Sequence, residues 1–206
     1  IRSPLSGLFN LYNILAGAAC AVSENASPEV IAEAVSSFGD IPGRVEKVQA
    51  GQDFTVVVDY AHTPDSLEKL YKVFRPDPSA PRGKTRLIAV LGGTGGGRDS
   101  WKRAEMGRLA ETYCDEAILT DEDPYDEDPR KIVDDVAAGM KSRTPSIIMD
   151  RREAIREAVS HARTGDVVLI TGKGTDPYIM GPQNSKQPWS DSGVAREEIM
   201  NRVSGN

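Results

Sequence analysis

Five short runs of aliphatic and β-branched residues, FTVVVDY (54–60), RLIAVLGG (86–93), EAILT (116–120), SIIMD (146–150) and DVVLIT (166–171), are separated by amphipathic stretches. No other feature constrains the fold as tightly. The runs are apolar throughout instead of alternating, the pattern of strands buried on both faces. Helical segments read at 64–74, 103–113, 129–141, 152–163 and about 190–203. Strands that alternate with helices pair in parallel, because each helix carries the chain back over the sheet. The expected fold class is α/β, a doubly wound and mostly parallel sheet. Ahead of it, residues 9–22 and PEVIAEAVSSF read as two helices, the second opened by Ser27 and Pro28. GDIPGR then marks a junction, giving a helical tail at 1–41 and an α/β domain at 42–206.

Composition narrows the partners. Of 206 residues, 25 are Lys or Arg and 31 are Asp or Glu, a net charge of −6 with the basic residues scattered. That balance argues against nucleic acid as the main partner. The apolar stretch LFNLYNILAGAACAV resembles a signal peptide in outline, but Asn10 and Asn13 interrupt it. No stretch is long enough to cross a bilayer. Cys20 and Cys114 lie in apolar helical patterns and read as two buried thiols in a reducing compartment. With His62 and His161 as the only histidines, no zinc cluster can be assembled, and no metal site is assigned. The expected setting is cytoplasmic, and a chain that opens on Ile1 reads as a fragment or processed product.

In doubly wound sheets, ligands occupy the crevice beyond the carboxyl ends of the strands. The segments expected there are DYAHTP (59–64), GGTGGGRD (92–99), TDEDPYDEDP (120–129), DRRE (150–153) and TGKGTD (171–176). The glycine-rich loop invites a phosphate reading that its letters refuse. From Gly92 the spacing to Gly97 suits a nucleotide-phosphate loop, but Arg98 and Asp99 stand where Lys and Ser or Thr belong. GKT at 83–85 has Pro78 in place of the leading glycine and precedes a strand. The dinucleotide fingerprint fails at Arg98, where its third glycine should be, which sets aside an oxidoreductase. The loop instead delivers one guanidinium, whose planar fork matches a carboxylate; the alternative is a surface arginine paired with Asp99.

GLFNLYN (7–13), IPGRVEKV (41–48), VVDYAHTPDSL (57–67), GGTGGGRDSWKR (92–103), TDEDPYDEDP (120–129) and ITGKGTD (170–176) occur together in one order that resembles the Mur ligases. The likeness is strongest to members that add the third residue, a diamino acid, to UDP-MurNAc-L-Ala-D-Glu. It implies ATP-driven amide formation through an acyl phosphate, with ATP and Mg2+ as cofactors and the magnesium ligands mainly outside this chain. It also implies that residues 1–41 end a central ATP-binding domain, that the missing N-terminal and central domains complete both sites, and that this chain alone is inactive.

Roles follow from the resemblance where letters match. Asn10 and Asn13 resemble asparagines facing adenine, Arg44 an arginine reaching the nucleotide phosphates, and Asp59 a ribose-binding aspartate flanked by Tyr60 and His62. His62 also reads as a turn histidine bonded to backbone, and no catalytic residue is assigned. Arg98 resembles the arginine gripping the α-carboxylate of the incoming amino acid. Gly172 and Asp176 match a G-K-G-H-E pattern that binds its amino and carboxyl end, with Asp in place of Glu. Asp123 and Tyr125 fall in the acceptor loop, where diaminopimelate-adding members carry Asp-Asn-Pro-Arg and this chain carries Glu122-Asp123-Pro124-Tyr125. Tyrosine cannot replace a bidentate cation, and the surrounding acids favour an acceptor with a purely cationic distal end, lysine or ornithine. Acid runs are also commonly solvated loops. A stand-alone amino-acid or nucleotide-binding module is the alternative function.

Overall fold

The computed structural model describes residues 2–75 and 85–205; Gly83 and Lys84 of the GKT triplet lie outside them. The chain divides into two compact units, Ile1–Ile41 and Pro42–Asn206. The first holds α1 (Leu8–Ser23) and α2 (Pro28–Ser37). Ser27 caps α2 through its side chain, with Pro28 in the first turn where no amide donor is needed.

In the second unit the order is β1 (Glu46–Val48), β2 (Thr55–Asp59), α3 (Pro64–Phe74), β3 (Leu87–Leu91), α4 (Trp101–Tyr113), β4 (Glu116–Leu119), α5 (Pro129–Ala137), β5 (Ser146–Ile147), α6 (Arg151–His161) and β6 (Val167–Thr171). A hairpin of β7 (Tyr178–Met180) and β8 (Lys186–Pro188) follows, then α7 (Asp191–Val203). The sheet order is β1-β2-β6-β3-β4-β5, parallel except for β1. Side chains bonded to the first free amides begin the helices: Thr63 and Ser66 form a reciprocal box at α3, while Asp128, Asp150 and Ser190 cap α5, α6 and α7.

Burial explains the unbroken apolar runs. β6 lies between β2 and β3, with Val168 in register with both Val56 and Ile88. Ile88, Val90, Val168 and Ile170 pack with Ala154, Ile155 and Val159 of α6 and Val194 and Ile199 of α7. By alternation, Leu87, Ala89 and Leu91 face the other layer, α3 to α5. Within that layer, a Cβ on Gly107 of α4 would lie 1.9 Å from the carbonyl oxygen of Val136 in α5. Intrinsic helix preference would have Gly107→Ala stabilise by about 1 kcal/mol. Close packing reverses the sign, and we expect a loss of about 1–3 kcal/mol. Thermal denaturation decides, and an unchanged or raised midpoint would show that the helices separate at little cost.

Three local expectations differ from the structure. The SIIMD run forms only a two-residue strand, Ser146–Ile147, at the sheet edge. The edge strand β1, which buries Val48, and the exposed or half-buried β7–β8 hairpin are additions, and at three residues per strand they are too short to show an apolar period. Cys20, expected to be buried, is exposed on α1, because an apolar pattern does not say which face is covered. Cys114 is buried, and burial pushes its thiol up to about 12.

Candidate functional site

Parallel pairing brings the carboxyl ends of β2, β6, β3 and β4 to one edge, and β6 marks the reversal in strand order where such sheets open a crevice. Two groups of side chains lie at this edge. In the first, Asp59 at the end of β2 accepts hydrogen bonds from the amides of Val45 (2.7 Å) and Ala61 (2.8 Å). Burial raises its pKa, against those bonds and the charge of Arg44. Asp59 therefore anchors the turn that carries Arg44, a task beyond the ribose contact read from the sequence. Val45 adopts φ +51°, a conformation β-branched residues avoid, and the bond to Asp59 holds it there.

The exposed Arg44 guanidinium lies 4.9 Å from the centroid of the Tyr60 ring, close enough for a cation–π contact. His62 meets Tyr60 edge-on at 4.7 Å. The His62 Nδ1 is 2.8 Å from the Tyr60 carbonyl oxygen, which can only accept, so Nδ1 carries the proton. His62 is thus a backbone-bonded turn histidine that also packs edge-on against Tyr60.

The second group joins three loops. Thr94 bridges to Asp123, and the Gly95 amide donates to the Asp123 carbonyl at 2.8 Å. Arg103, almost wholly buried, donates to the carbonyl of Thr94 (3.0 Å), to Glu127 (2.8 Å) and to Asp135 (3.0 Å), fixing the glycine loop against the acidic one. Lys173 reaches both Asp123 oxygens at 2.8 and 2.7 Å and lies 3.7 Å from Asp176. Tyr125, at φ +52°, packs its ring over Gly96. Arg98 is exposed and makes no ion pair or side-chain hydrogen bond among the described residues, including with Asp99.

The acidic run is only partly a solvated loop. Glu127 pairs with Arg103, Asp128 caps α5, Asp121 accepts the Glu122 amide, and Asp126 accepts the Gln183 amide. Glu122 is 2% exposed. Its Oε1 accepts from the Thr94 hydroxyl at 3.0 Å, while Oε2 is buried without a partner. Burial above all raises its pKa, and Asp123 adds to the effect. At Gly172, where φ is +109°, a Cβ would lie 2.2 Å from that oxygen, so no side chain fits.

Behind these loops, Arg151 donates twice to Asp191 (2.8 and 2.7 Å) and to the carbonyls of Thr171 (2.8 Å) and Asp121 (3.2 Å). Trp189 Nε1 donates to the same carboxylate. Sequence reasoning missed Thr94, Arg103, Glu122, Arg151, Lys173 and Asp191. Except for Arg103, which lies in the first turn of α4, their shared signal was charge or hydroxyl within the strand-end segments and the PWSD stretch.

In the first unit, taken by itself, Asn10 donates to the Ser6 carbonyl at 2.8 Å and accepts from Asn13 at 3.4 Å. Both line an apolar groove of about 340 Å³ with Ile14, Ala18, Ile31 and Ile41. Among the described residues, no group of three or more His, Cys, Asp and Glu is placed to hold a metal ion, and no helix is long and apolar enough to cross a membrane.

The second unit is a doubly wound α/β domain whose glycine-rich and acidic loops gather at the carboxyl ends of its strands. Residues 43–174 match the family model described as Mur ligase, glutamate ligase domain, and the chain belongs to that family. The UDP-N-acetylmuramoyl-L-alanyl-D-glutamate–2,6-diaminopimelate ligase of Syntrophomonas wolfei is 44% identical over 207 residues, covering 98% of this chain and 41% of that protein. The ligase of the same name from Geobacillus thermodenitrificans is 43% identical over 205 residues, with 98% and 40% covered. A solved structure of a ligase so named superposes with a TM-score of 0.71 at 32% identity, over 98% of this chain and 40% of that one. The chain thus spans about two fifths of the length of these relatives.

Proposed function

We propose that this chain is the carboxy-terminal part of an ATP-dependent ligase that adds a diamino acid to UDP-MurNAc-L-Ala-D-Glu, and that it carries the incoming amino acid and one side of ATP. The observation that carries this reading is Arg98, exposed and unpaired among the described residues, on a glycine loop bonded to Asp123 and Glu127, with Lys173 joining Asp123 to the Gly172–Asp176 turn. Arg98 grips the α-carboxylate in two parallel hydrogen bonds. The Gly172 carbonyl and Asp176 hold the amino and carboxyl end, and Tyr125 and Asp123 shape the loop at the distal end. Arg44 meets the nucleotide phosphates, where a fixed positive charge stabilises developing negative charge. Asp59, Tyr60 and His62 flank the ribose. In the first unit, taken by itself, Asn10 and Asn13 offer amides to adenine. Mg2+ accompanies ATP, held mainly by residues outside this chain.

In the reaction, the γ-phosphoryl group moves to the dipeptide carboxylate, giving ADP and an acyl phosphate. The amine nitrogen bonds to the acyl carbon, the bond to phosphate breaks, and the nitrogen releases a proton. Holding the amine against the acyl phosphate supplies roughly 7–11 kcal/mol of barrier reduction through positioning. This domain is then the arm that carries the amine inward.

The acceptor rests on two opposed observations. Tyr125 offers no cation for a distal carboxylate, which favours lysine or ornithine. The acidic run gives that reading less support than its letters suggest, because Asp123 and Glu127 are paired with Lys173 and Arg103. The names of the relatives favour diaminopimelate. Ligation by the complete polypeptide with the three amino acids side by side separates them. Exclusive use of diaminopimelate ends the argument from Tyr125. No ligation with any of them, together with tight binding of ATP or an amino acid by the present chain alone, would favour a binding module instead.

A further inference from the structure

The acceptor loop is stitched on one side to a piece of structure without any assigned part in binding. Met180 of the β7–β8 hairpin donates its amide to Asp123 Oδ1 at 2.8 Å, and its carbonyl accepts the Tyr125 amide at 3.0 Å. Farther along, the Gln183 amide donates to Asp126 Oδ1 at 2.8 Å. The foot of the hairpin is closed by the Trp189 amide, which donates to the Pro177 carbonyl at 2.9 Å. Beneath the loop, the Lys173 ammonium, 1% exposed, holds both Asp123 oxygens. Residues 123–126 are therefore fixed from the hairpin and from Lys173, while the Asp123 carbonyl is bonded to the glycine loop through Gly95.

This arrangement alters the part played by Asp123. Its carboxylate takes three hydrogen bonds from within the protein, and the side chain is 10% exposed. A buried lysine and aspartate so paired present no net charge to a ligand, and removing one partner leaves the other unmatched. Tyr125 adopts its left-handed conformation between two residues pinned to the hairpin.

We infer that Lys173 and the β7–β8 hairpin are positioning elements for the acceptor: they fix residues 123–126 through Asp123 and Met180, and thereby set how tightly the ligase holds its diamino acid. The inference rests on the ligase reading above. Neither element touches the amino acid; both act through the loop.

Two variants test it in the complete polypeptide. Lys173→Met removes the buried cation, and Met180→Pro deletes a single amide donor, with Met180→Ala as the backbone-preserving control. For the first two, we expect the KM for the amino acid to rise tenfold or more, while the KM for ATP and kcat at saturating acceptor stay within twofold. Met180→Ala should match the parent. Hydrogen exchange of residues 120–127 in the present chain gives a readout independent of activity, and both disruptive variants should lose protection there. An unchanged acceptor KM, or unchanged exchange in either disruptive variant, overturns the inference. If the parent ligates no amino acid at all, the ligase reading falls, and exchange alone decides whether the hairpin and Lys173 hold the loop.

Discussion

Replacing Arg151 with methionine should destabilise the protein by about 3–5 kcal/mol, the cost of leaving a buried charge without its partner. Arg151 and Asp191 have side chains 1% and 0% exposed, so water cannot take over when either is removed. Asp191 would keep the Trp189 hydrogen bond but lose its only cation among the described residues. The carbonyls of Thr171 and Asp121 would also lose a donor, loosening the ends of β6 and β4. At about 2–4 °C per kcal/mol for a chain of this size, the thermal midpoint should fall by roughly 6–20 °C. Exchanging both residues for apolar ones of similar volume should recover much of the loss, since a buried pair contributes little beyond what good packing supplies. A drop under about 1 kcal/mol for Arg151→Met would mean that the pair is not the clamp described above.

Arg98, at the same edge of the sheet, should behave in the opposite way. Arg98→Ala removes an exposed side chain with no partner among the described residues, so stability should move by no more than about 0.5 kcal/mol. Its effect should appear in ligation. Truncating one partner of a desolvated charge pair costs about 2–5 kcal/mol, which corresponds to a fall in kcat/KM for the amino acid of about thirtyfold or more. The KM for ATP should not change. Arg98→Lys should restore only part of the loss, because an ammonium cannot make the two parallel bonds of a guanidinium. Steady-state kinetics with the acceptor varied at saturating ATP measures this. An Arg98→Ala enzyme with parental acceptor kinetics would remove the side chain on which the proposed function rests.

The two arginines also show what the letters revealed. The strands and helices were legible because parallel strands buried on both faces leave unbroken apolar runs, as at Leu87–Leu91, where every residue is buried. Helix starts were legible wherever a cap was followed by proline, as at Thr63-Pro64 and Asp128-Pro129. The positions of the loops followed from the topology. The bonding partners within those loops did not. Lys173 and Asp123 are fifty positions apart, and Arg151 and Asp191 forty, and no local pattern joins them. The acidic run looked like solvated charge because composition cannot show that Glu127 faces Arg103 while Glu122 lies against Gly172. The β7–β8 hairpin escaped notice because it is tied by bonds to residues 123–126 and has no buried face.

The place of β6 has a consequence for how the chain is made. Val167–Thr171 is the last parallel strand to leave the ribosome, yet it fills the gap between the first two. Until it emerges, β2 and β3 each expose an unpaired apolar edge, the kind of surface on which nascent chains aggregate. Such distant pairing also slows folding. A chain released before Val167 lacks the middle of its sheet, so premature termination yields no smaller stable domain, only material for chaperones and proteases.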